Sequence, residues 1–578
     1  MRYNEVILGL LLILIIIMAI LDMIGVASVL PFMAVLTNPS LIETNYFLNI
    51  MFKASSILGV KNYEEFIFSL GFLVFLLLII SLTIKALTTY AQVRFVQMRE
   101  YSIGKRLVEG YLHQPYDWFL GRHSADLGKT ILSEITSVIG NGINPLMELL
   151  AKGMVSIALI TLLIIADPKL ALIVGFSLGG AYGLIFYFTG NFLDQIGKDR
   201  LKSNELRFTA ISEAFGAAKE VKVGGLEKTY IKRFSKSAER FAETGAYAAL
   251  VRQLPRFILE IIAFGGIMLL ILFMMKKTGG FINALPIISL YVFAGYRLMP
   301  AIQQFYASLT QLTFVGPSLD ALTDEIKNLK PFKSNQDQGI LSLSNKITLN
   351  EINYNYPNVS RTALKGINLT INAKTTVGLV GTTGSGKTTT VDIILGLLEA
   401  QKGTLEVDGQ TINKQNVRAW QRSIGYVPQH IYLSDDTVAA NIALGVNPEE
   451  INQDAVEKVS KIANLHEFII KELPKSYQTT VGERGIRLSG GQRQRIGIAR
   501  ALYHKPQVLI LDEATSSLDN QTEKAVMDAV NNLSNDITII LIAHRLNTVK
   551  NCDIIFKLEK GKVIDQGSFD ELTINDKI

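Results

Sequence analysis

The residues best suited to chemistry lie in the second half of the chain. Gly381-Thr382-Thr383-Gly384-Ser385-Gly386-Lys387-Thr388, continued by Thr389, has the spacing G-x4-G-K-T. Glycines so placed let the backbone curl until its N–H groups converge on phosphate oxygens, and the N-terminus of the helix that follows adds its dipole. Lys387 would bridge the β- and γ-phosphates of ATP, and the Thr388 hydroxyl would reach Mg²⁺. Further on, the apolar run Val508–Leu511 ends in Asp512-Glu513. An acid at the end of such a strand is placed to hold the metal, directly or through water, and Glu513 would polarise the attacking water as general base. Adjacent acids after a strand usually form only a solvated loop. In a chain that also carries a phosphate loop they complete a nucleotide site.

These groups need a strand and a helix on either side of the loop. Thr376–Leu379 reads as a short β-run and Val391–Leu398 as a helix, the strand–loop–helix order that a phosphate loop requires. Residues 340–578 read throughout as an α/β protein, whereas residues 1–310 hold long apolar runs. At 578 residues, 49% hydrophobic and 19% charged, the chain is too long for one core. We expect residues 1–325 to form a membrane domain, 326–345 a linker and 346–578 a nucleotide-binding domain. The net charge of +6 comes without a dense Lys/Arg block, which argues against nucleic acid as a partner. The single cysteine, Cys552, excludes an internal disulfide and a cysteine-based metal cluster within one chain.

A membrane-spanning helix needs about 20 apolar residues. Six segments qualify: Val6–Leu36, Phe66–Leu87, Leu146–Ala166, Leu170–Phe188, Phe257–Met275 and Phe281–Leu298. The third and fourth are separated only by Asp167-Pro168-Lys169, which predicts a helical hairpin. The long connections 90–144 and 190–254 keep a helical pattern, which predicts helices projecting far beyond the bilayer. Both are rich in Lys and Arg, so the positive-inside rule assigns them, both termini and the C-terminal domain to the cytosol. Ionisable residues inside spans are functional candidates by default. Here they are Asp22, Lys85, Glu260 and Arg297, with Lys85 and Arg256 also able to snorkel to the interface. Arg297 either pairs with Asp22 or Glu260 or faces a cavity, where it would suit an anionic headgroup.

Leu488-Ser489-Gly490-Gly491-Gln492 makes the resemblance specific: it is similar to the signature motif of ATP-binding cassette (ABC) proteins. The chain as a whole resembles an ABC exporter half-transporter. That resemblance implies a six-helix α-helical transmembrane domain followed by an α/β P-loop NTPase. It also implies that Tyr356 stacks on adenine, with Tyr354 as the alternative, and that Gln429 senses Mg²⁺ and the membrane domain. Thr480–Gly485 resembles the coupling loop of exporters, Ser517-Leu518-Asp519 the dimer-contacting loop, and His544 the switch histidine on the γ-phosphate. The family arrangement is a head-to-tail dimer with ATP between one chain's phosphate loop and the other's Ser489, Gly490, Gly491 and Gln492. Because both half-sites are intact, a homodimer is favoured over a heterodimer.

His113–Phe119 and Lys219–Phe234 resemble the two segments that couple the membrane domain to the motor. Leu254–Glu260, Gly295–Pro300 and, more loosely, Asp22–Pro31 with Phe32 are similar to bacterial flippases of lipid-linked oligosaccharides. The implied partners are membrane lipids and a lipid-like cargo, and the implied location is the cytoplasmic membrane of a bacterium. A multidrug or lipid A-type exporter is the alternative, with a peptide exporter or an ATP-gated regulator behind it.

Overall fold

The computed structural model describes residues 2–57, 59–277, 281–330, 339–357, 362–482, 485–513, 520–531, 536–543 and 546–574. The chain divides into two compact units. Met1–Gln114 and Arg122–Pro331 form the first; Phe332–Ile578, joined by the short segment Pro115–Gly121, form the second.

In the first unit every described element is helical: α1 (Arg2–Ala27), α2 (Val29–Thr37), α3 (Leu41–Thr44), α4 (Tyr46–Ser56), α5 (Tyr63–Leu112), then α7 (Ser124–Lys129), α8 (Ile135–Val138), α9 (Asn144–Ala166), α10 (Pro168–Gly216), α11 (Ala218–Val223), α12 (Glu227–Lys277) and α13 (Phe281–Asn328). The number α6 belongs to Tyr116–Leu120, in the second unit. The first expected span is two helices that meet at Ser28, whose Oγ donates to the Gly25 carbonyl at 2.8 Å. Helix α5 opens on a capping box between Asn62 and Glu65 and runs for 50 residues. At about 1.5 Å per residue that is about 75 Å, far more than the ~30 Å hydrocarbon core of a bilayer. Helices α10, α12 and α13 are 49, 51 and 48 residues long, so the expected helical projections are present.

The hairpin between α9 and α10 is also as expected. Asp167 ends one helix, its Oδ1 accepts from the Lys169 N–H at 3.1 Å, and Pro168 opens the next helix where its missing N–H costs nothing. Among the described residues, Glu5–Thr37, Tyr63–Leu112 and Ala125–Ala166 are long and apolar enough to cross a membrane. The three remaining expected spans lie within α10, α12 and α13.

Three features were not foreseen. Helices α3 and α4 lie between the first two spans, where Ile42 and Leu48 are buried with Val35, Phe66 and Leu70. The helical run from Ser124 to Ala166 is interrupted by two π-helical turns, Thr130–Glu134 and Ile139–Ile143. Finally, α10 and α13 meet at Gly197, where a Cβ would lie 2.3 Å from the Phe314 carbonyl oxygen. That approach seals a small core of Leu193, Ile196, Ala248 and Phe314.

The second unit is α/β. Its strands are β1 (Lys346–Asn355), β2 (Thr362–Asn372), β3 (Thr376–Val380), β4 (Lys402–Val407), β5 (Gln410–Thr411), β6 (Ile424–Val427), β7 (Val508–Asp512), β8 (Thr538–Ile542), β9 (Ile554–Glu559) and β10 (Lys562–Gly567). Its helices after α6 are α14 (Lys387–Ile394), α15 (Val417–Gln421), α16 (Val438–Ile442), α17 (Gln453–Ile462), α18 (His466–Glu472), α19 (Gly490–Tyr503), α20 (Asn520–Asn531) and α21 (Phe569–Ile574). One sheet is antiparallel, in the order β2-β1-β4-β5; the other runs β10-β9-β3-β8-β7-β6. In the second sheet all neighbours from β9 to β6 are parallel and only β10 is antiparallel. Every residue of β3, β7 and β8 is buried, which explains why Val, Ile and Leu dominate them. Helix α13 continues past residue 325 to Asn328. At the far end of the expected linker, Leu341 donates to the Ala419 carbonyl and Leu343 to Gln507 Oε1, so that stretch is fastened to the second unit.

Candidate nucleotide site and membrane polar residues

Strands β3, β7 and β8 are parallel neighbours, so their C-terminal ends share one edge of the sheet, the usual ligand side of an open α/β sheet. Gly381–Gly386 leaves the end of β3. Gly381, Gly384 and Gly386 have φ of 150°, 78° and 104°, which L-side chains rarely adopt. A Cβ at Gly381 would also lie 2.2 Å from the Leu558 carbonyl oxygen, so this position requires glycine twice over. The loop is held from behind by the Gly561 N–H, which donates to the Ser385 carbonyl at 2.9 Å.

Lys387 is the first residue of α14 and is buried. Its ammonium donates to the carbonyls of Gly381 (2.8 Å) and Thr382 (3.2 Å). Burial lowers its pKa, and the charges of Glu513 and Asp512 oppose that shift. The Ser385 hydroxyl is buried without a hydrogen-bond partner. A loop with glycine-only geometry, a buried ammonium and an orphaned hydroxyl fits the phosphates of a nucleotide.

The acids arrive on the neighbouring strand. Asp512 is the buried last residue of β7, opposite Ile542 of β8. Glu513 follows with φ of 50°, a strained value for a glutamate, fixed by its N–H donating to the Ile542 carbonyl at 3.2 Å. Its Oε2 accepts a 2.7 Å hydrogen bond from Gln429 Nε2. Sequence reasoning missed Asp392, on the sheet-facing side of α14. Burial, and then the charge of Asp512, push its carboxyl up to about 6. Buried carboxylates at this density beside an exposed Thr388 fit a divalent cation: Asp512, with Thr388 and Gln429, would hold it, and bound Mg²⁺ would offset their charge.

Tyr356 is half-buried, and its hydroxyl lies 3.0 Å from the Thr389 Oγ1 on the phosphate-loop helix. Its ring stands edge-on to Tyr354 at 5.2 Å, and Tyr354 is itself buried in the core. Of the two, Tyr356 alone keeps a partly open face for an adenine ring.

Ser489 is the N-cap of α19. Its Oγ accepts from the Gln492 N–H at 3.2 Å, while Gln492 Oε1 accepts from the Ser489 N–H at 2.7 Å. This capping box explains why serine and glutamine sit three apart, and it leaves Ser489 and the N-terminus of α19 exposed with Gly490 and Gly491 partly open. Thr480 bridges Thr437, and the Val481 N–H donates to the Asp436 carbonyl, which anchors the start of the expected coupling loop. Glu483, Arg484, Ser517, Leu518, Asp519 and His544 lie outside the described residues.

In the first unit the structure gives the Arg297 guanidinium to Asp22, at 2.6 Å; the same carboxylate oxygen accepts from Ser81 Oγ at 2.7 Å. Of the two arrangements open at the sequence level for Arg297, the internal pair is the one present. Glu260 pairs instead with Arg256 at 2.7 Å, one turn along α12. Glu148 and Lys152, both within the third span, escaped notice; Glu148 accepts a hydrogen bond from Gln304 of α13.

Comparison with known proteins accords with this geometry. Residues 364–516 match the ABC transporter family model, and residues 6–300 match the ABC transporter transmembrane region. The chain is 30% identical over 478 residues to an ATP-dependent lipid A-core flippase of Saccharophagus degradans, covering 82% of this chain and 79% of that protein. A heterocyst differentiation ATP-binding protein of Nostoc is 32% identical over 374 residues, 63% of this chain and 60% of the relative. Among solved structures, a bacterial Atm1-family ABC exporter with ATP bound superposes with a TM-score of 0.78 at 21% identity, covering 100% of this chain and 96% of that one.

Proposed function

Because the chain belongs to the ABC transporter family, with its membrane region and its ATP-binding region in one polypeptide, we propose that it moves an amphipathic glycolipid outward across the cytoplasmic membrane of a bacterium as a homodimer. ATPase-coupled transport follows from the family; the cargo, the direction and the dimer are the proposal. The observation that carries it is the convergence of Lys387, Asp512, Glu513 and Gln429 at the sheet edge of a chain whose other half is long membrane helices.

ATP with Mg²⁺ supplies the free energy, and the chain's own groups set the timing. Glu513, held by Gln429 and by its strained backbone, is positioned to take the proton of the attacking water. By the family resemblance His544 would contact the γ-phosphate and Asp519 would belong to the dimer-contacting loop, while the exposed Ser489–Gln492 cap would supply N–H donors across the dimer interface. Separation of the motor domains after hydrolysis resets the membrane helices to accept cargo again.

For the cargo, a lipid-linked oligosaccharide is supported by the segments Leu254–Glu260 and Gly295–Pro300. The names of the lipid A-core flippase relatives favour a second reading, a lipid A-type glycolipid. In proteoliposomes the two separate cleanly. ATP-dependent inward-to-outward movement of a lipid-linked oligosaccharide, with lipid A left in place, supports the first; the reverse pattern supports the second. Movement of neither would overturn the glycolipid proposal.

A further inference from the structure

The helical run that opens at Ser124 holds two π-turns, Thr130–Glu134 and Ile139–Ile143, separated by the single α-turn Ile135–Val138. A π-turn stores one extra residue against the α-helical register and gives up backbone hydrogen bonds that the α-form would make, so it persists only where side chains hold it. Here the holding groups are buried and polar, and they come from facing helices. Arg200 of α10 donates to Ser137 Oγ at 2.8 Å and to Ser318 Oγ of α13 at 3.2 Å. Its guanidinium lies 5.2 Å from the centroid of the Phe241 ring on α12. Asn204, one turn along α10, donates to Glu134 Oε1 at 2.6 Å and to Ser133 Oγ at 3.2 Å, and its own Oδ1 accepts from Arg207 at 2.6 Å. Arg200 is 9% exposed, Glu134 4% and Asn204 0%.

The network is incomplete in one place. Glu134 Oε2 is buried with no hydrogen-bond partner, and Arg200 Nη1 stands 3.8 Å away, too far for a hydrogen bond. The two are thus a buried ion pair held at its long limit without a hydrogen bond, and both would gain if the gap closed. There is room for the movement: a cavity of about 270 Å³ is lined by Thr130 and Glu134 of the first π-turn and by Leu201, Ser318 and Leu322 facing it.

We propose that the run Ser124–Ala166 has two registers, and that Arg200 is the latch that selects between them. In the register seen here, Ser137 and Ser318 hold Arg200 and the first π-turn is kept. In the other, Thr130–Glu134 relaxes to α-helix, Glu134 advances into a direct pair with Arg200, and the helix beyond it turns by about one residue, roughly 100° with about 1.5 Å of rise. The run begins just after Pro115–Gly121, the short segment grouped with the second unit. Arg200 is here a positioning residue; it touches neither cargo nor nucleotide.

The test uses the full-length chain in nanodiscs. Spin labels go on H123C and L146C, on either side of both π-turns; Cys552, buried and with its thiol pushed up to about 12, stays unlabelled. The label distance should change by on the order of 1.5 Å, the rise of one residue, when a nonhydrolysable ATP analogue with Mg²⁺ is added. In Glu134→Gln, which keeps shape and removes the charge that seeks Arg200, that change should disappear. A second arm needs no nucleotide, and so stands apart from the ATP-driven reading on which the switch rests. Ser137→Ala should speed amide exchange across 130–143 about tenfold, the worth of one hydrogen bond to a charged group, and leave α5 unchanged. An identical label distance with and without analogue, the same shift in Glu134→Gln, or unaltered exchange in Ser137→Ala would each overturn the proposal.

Discussion

At the scale of single residues, the nucleotide site is written in side chains whose neighbours explain them. Gly381 is glycine because both its φ and the Leu558 carbonyl forbid a Cβ; Glu513 tolerates a positive φ because the backbone of β8 and Gln429 hold it. If Glu513 is the base, Glu513→Gln should bind ATP normally, trap it, and lower turnover by roughly 10²–10⁴, the usual worth of a positioned base. Turnover at the wild-type rate in that variant would remove Glu513 from the role. These residues were legible in the sequence because phosphate chemistry demands particular residue types at fixed spacing. Asp392 was not, since a lone acid on a helix carries no spacing signal until the sheet shows that it faces Asp512. Arg297 was readable as costly, but only the fold could give it to Asp22 rather than to a headgroup.

Elements follow the same division. Long helices and buried parallel strands have strong periodic or continuous apolar patterns, and α5, α10, α12, α13, β3 and β7 appeared where the sequence put them. Helices α3 and α4 and the π-turns left no such trace: the first two are short and half-exposed, and a π-turn reads in sequence as ordinary helix. The contact between α10 and α13 at Gly197 yields a direct test. Gly197→Ala must push the Phe314 carbonyl away, and it should destabilise the detergent-solubilised protein by about 1–3 kcal/mol, read as a lower midpoint of thermal unfolding. An unchanged midpoint would mean the two helices have slack that the structure does not show. Helix α6 offers another. Trp118 and Phe119 meet edge-on at 5.0 Å in the segment that clusters with the nucleotide-binding unit. Replacing both with alanine should abolish stimulation of ATPase by cargo while basal hydrolysis persists. Stimulation retained at the wild-type level would exclude these rings from coupling.

For the whole molecule, the sequence separated a membrane half from an α/β half through composition alone, and the two compact units follow that separation except at Pro115–Gly121. Cargo identity stayed out of reach for a physical reason. The membrane helices present much exposed apolar surface, which carries no recognition pattern, and two of their ionisable groups, Asp22 and Arg297, satisfy each other. The most direct measurement of the central claim is therefore functional. Purified protein in liposomes, given ATP and Mg²⁺ on the side of its nucleotide domains, should move a fluorescent lipid-linked oligosaccharide or lipid A-type glycolipid to the opposite leaflet, and the Glu513→Gln variant should not. Glycolipid movement that proceeds equally without ATP, or equally in Glu513→Gln, would contradict the account.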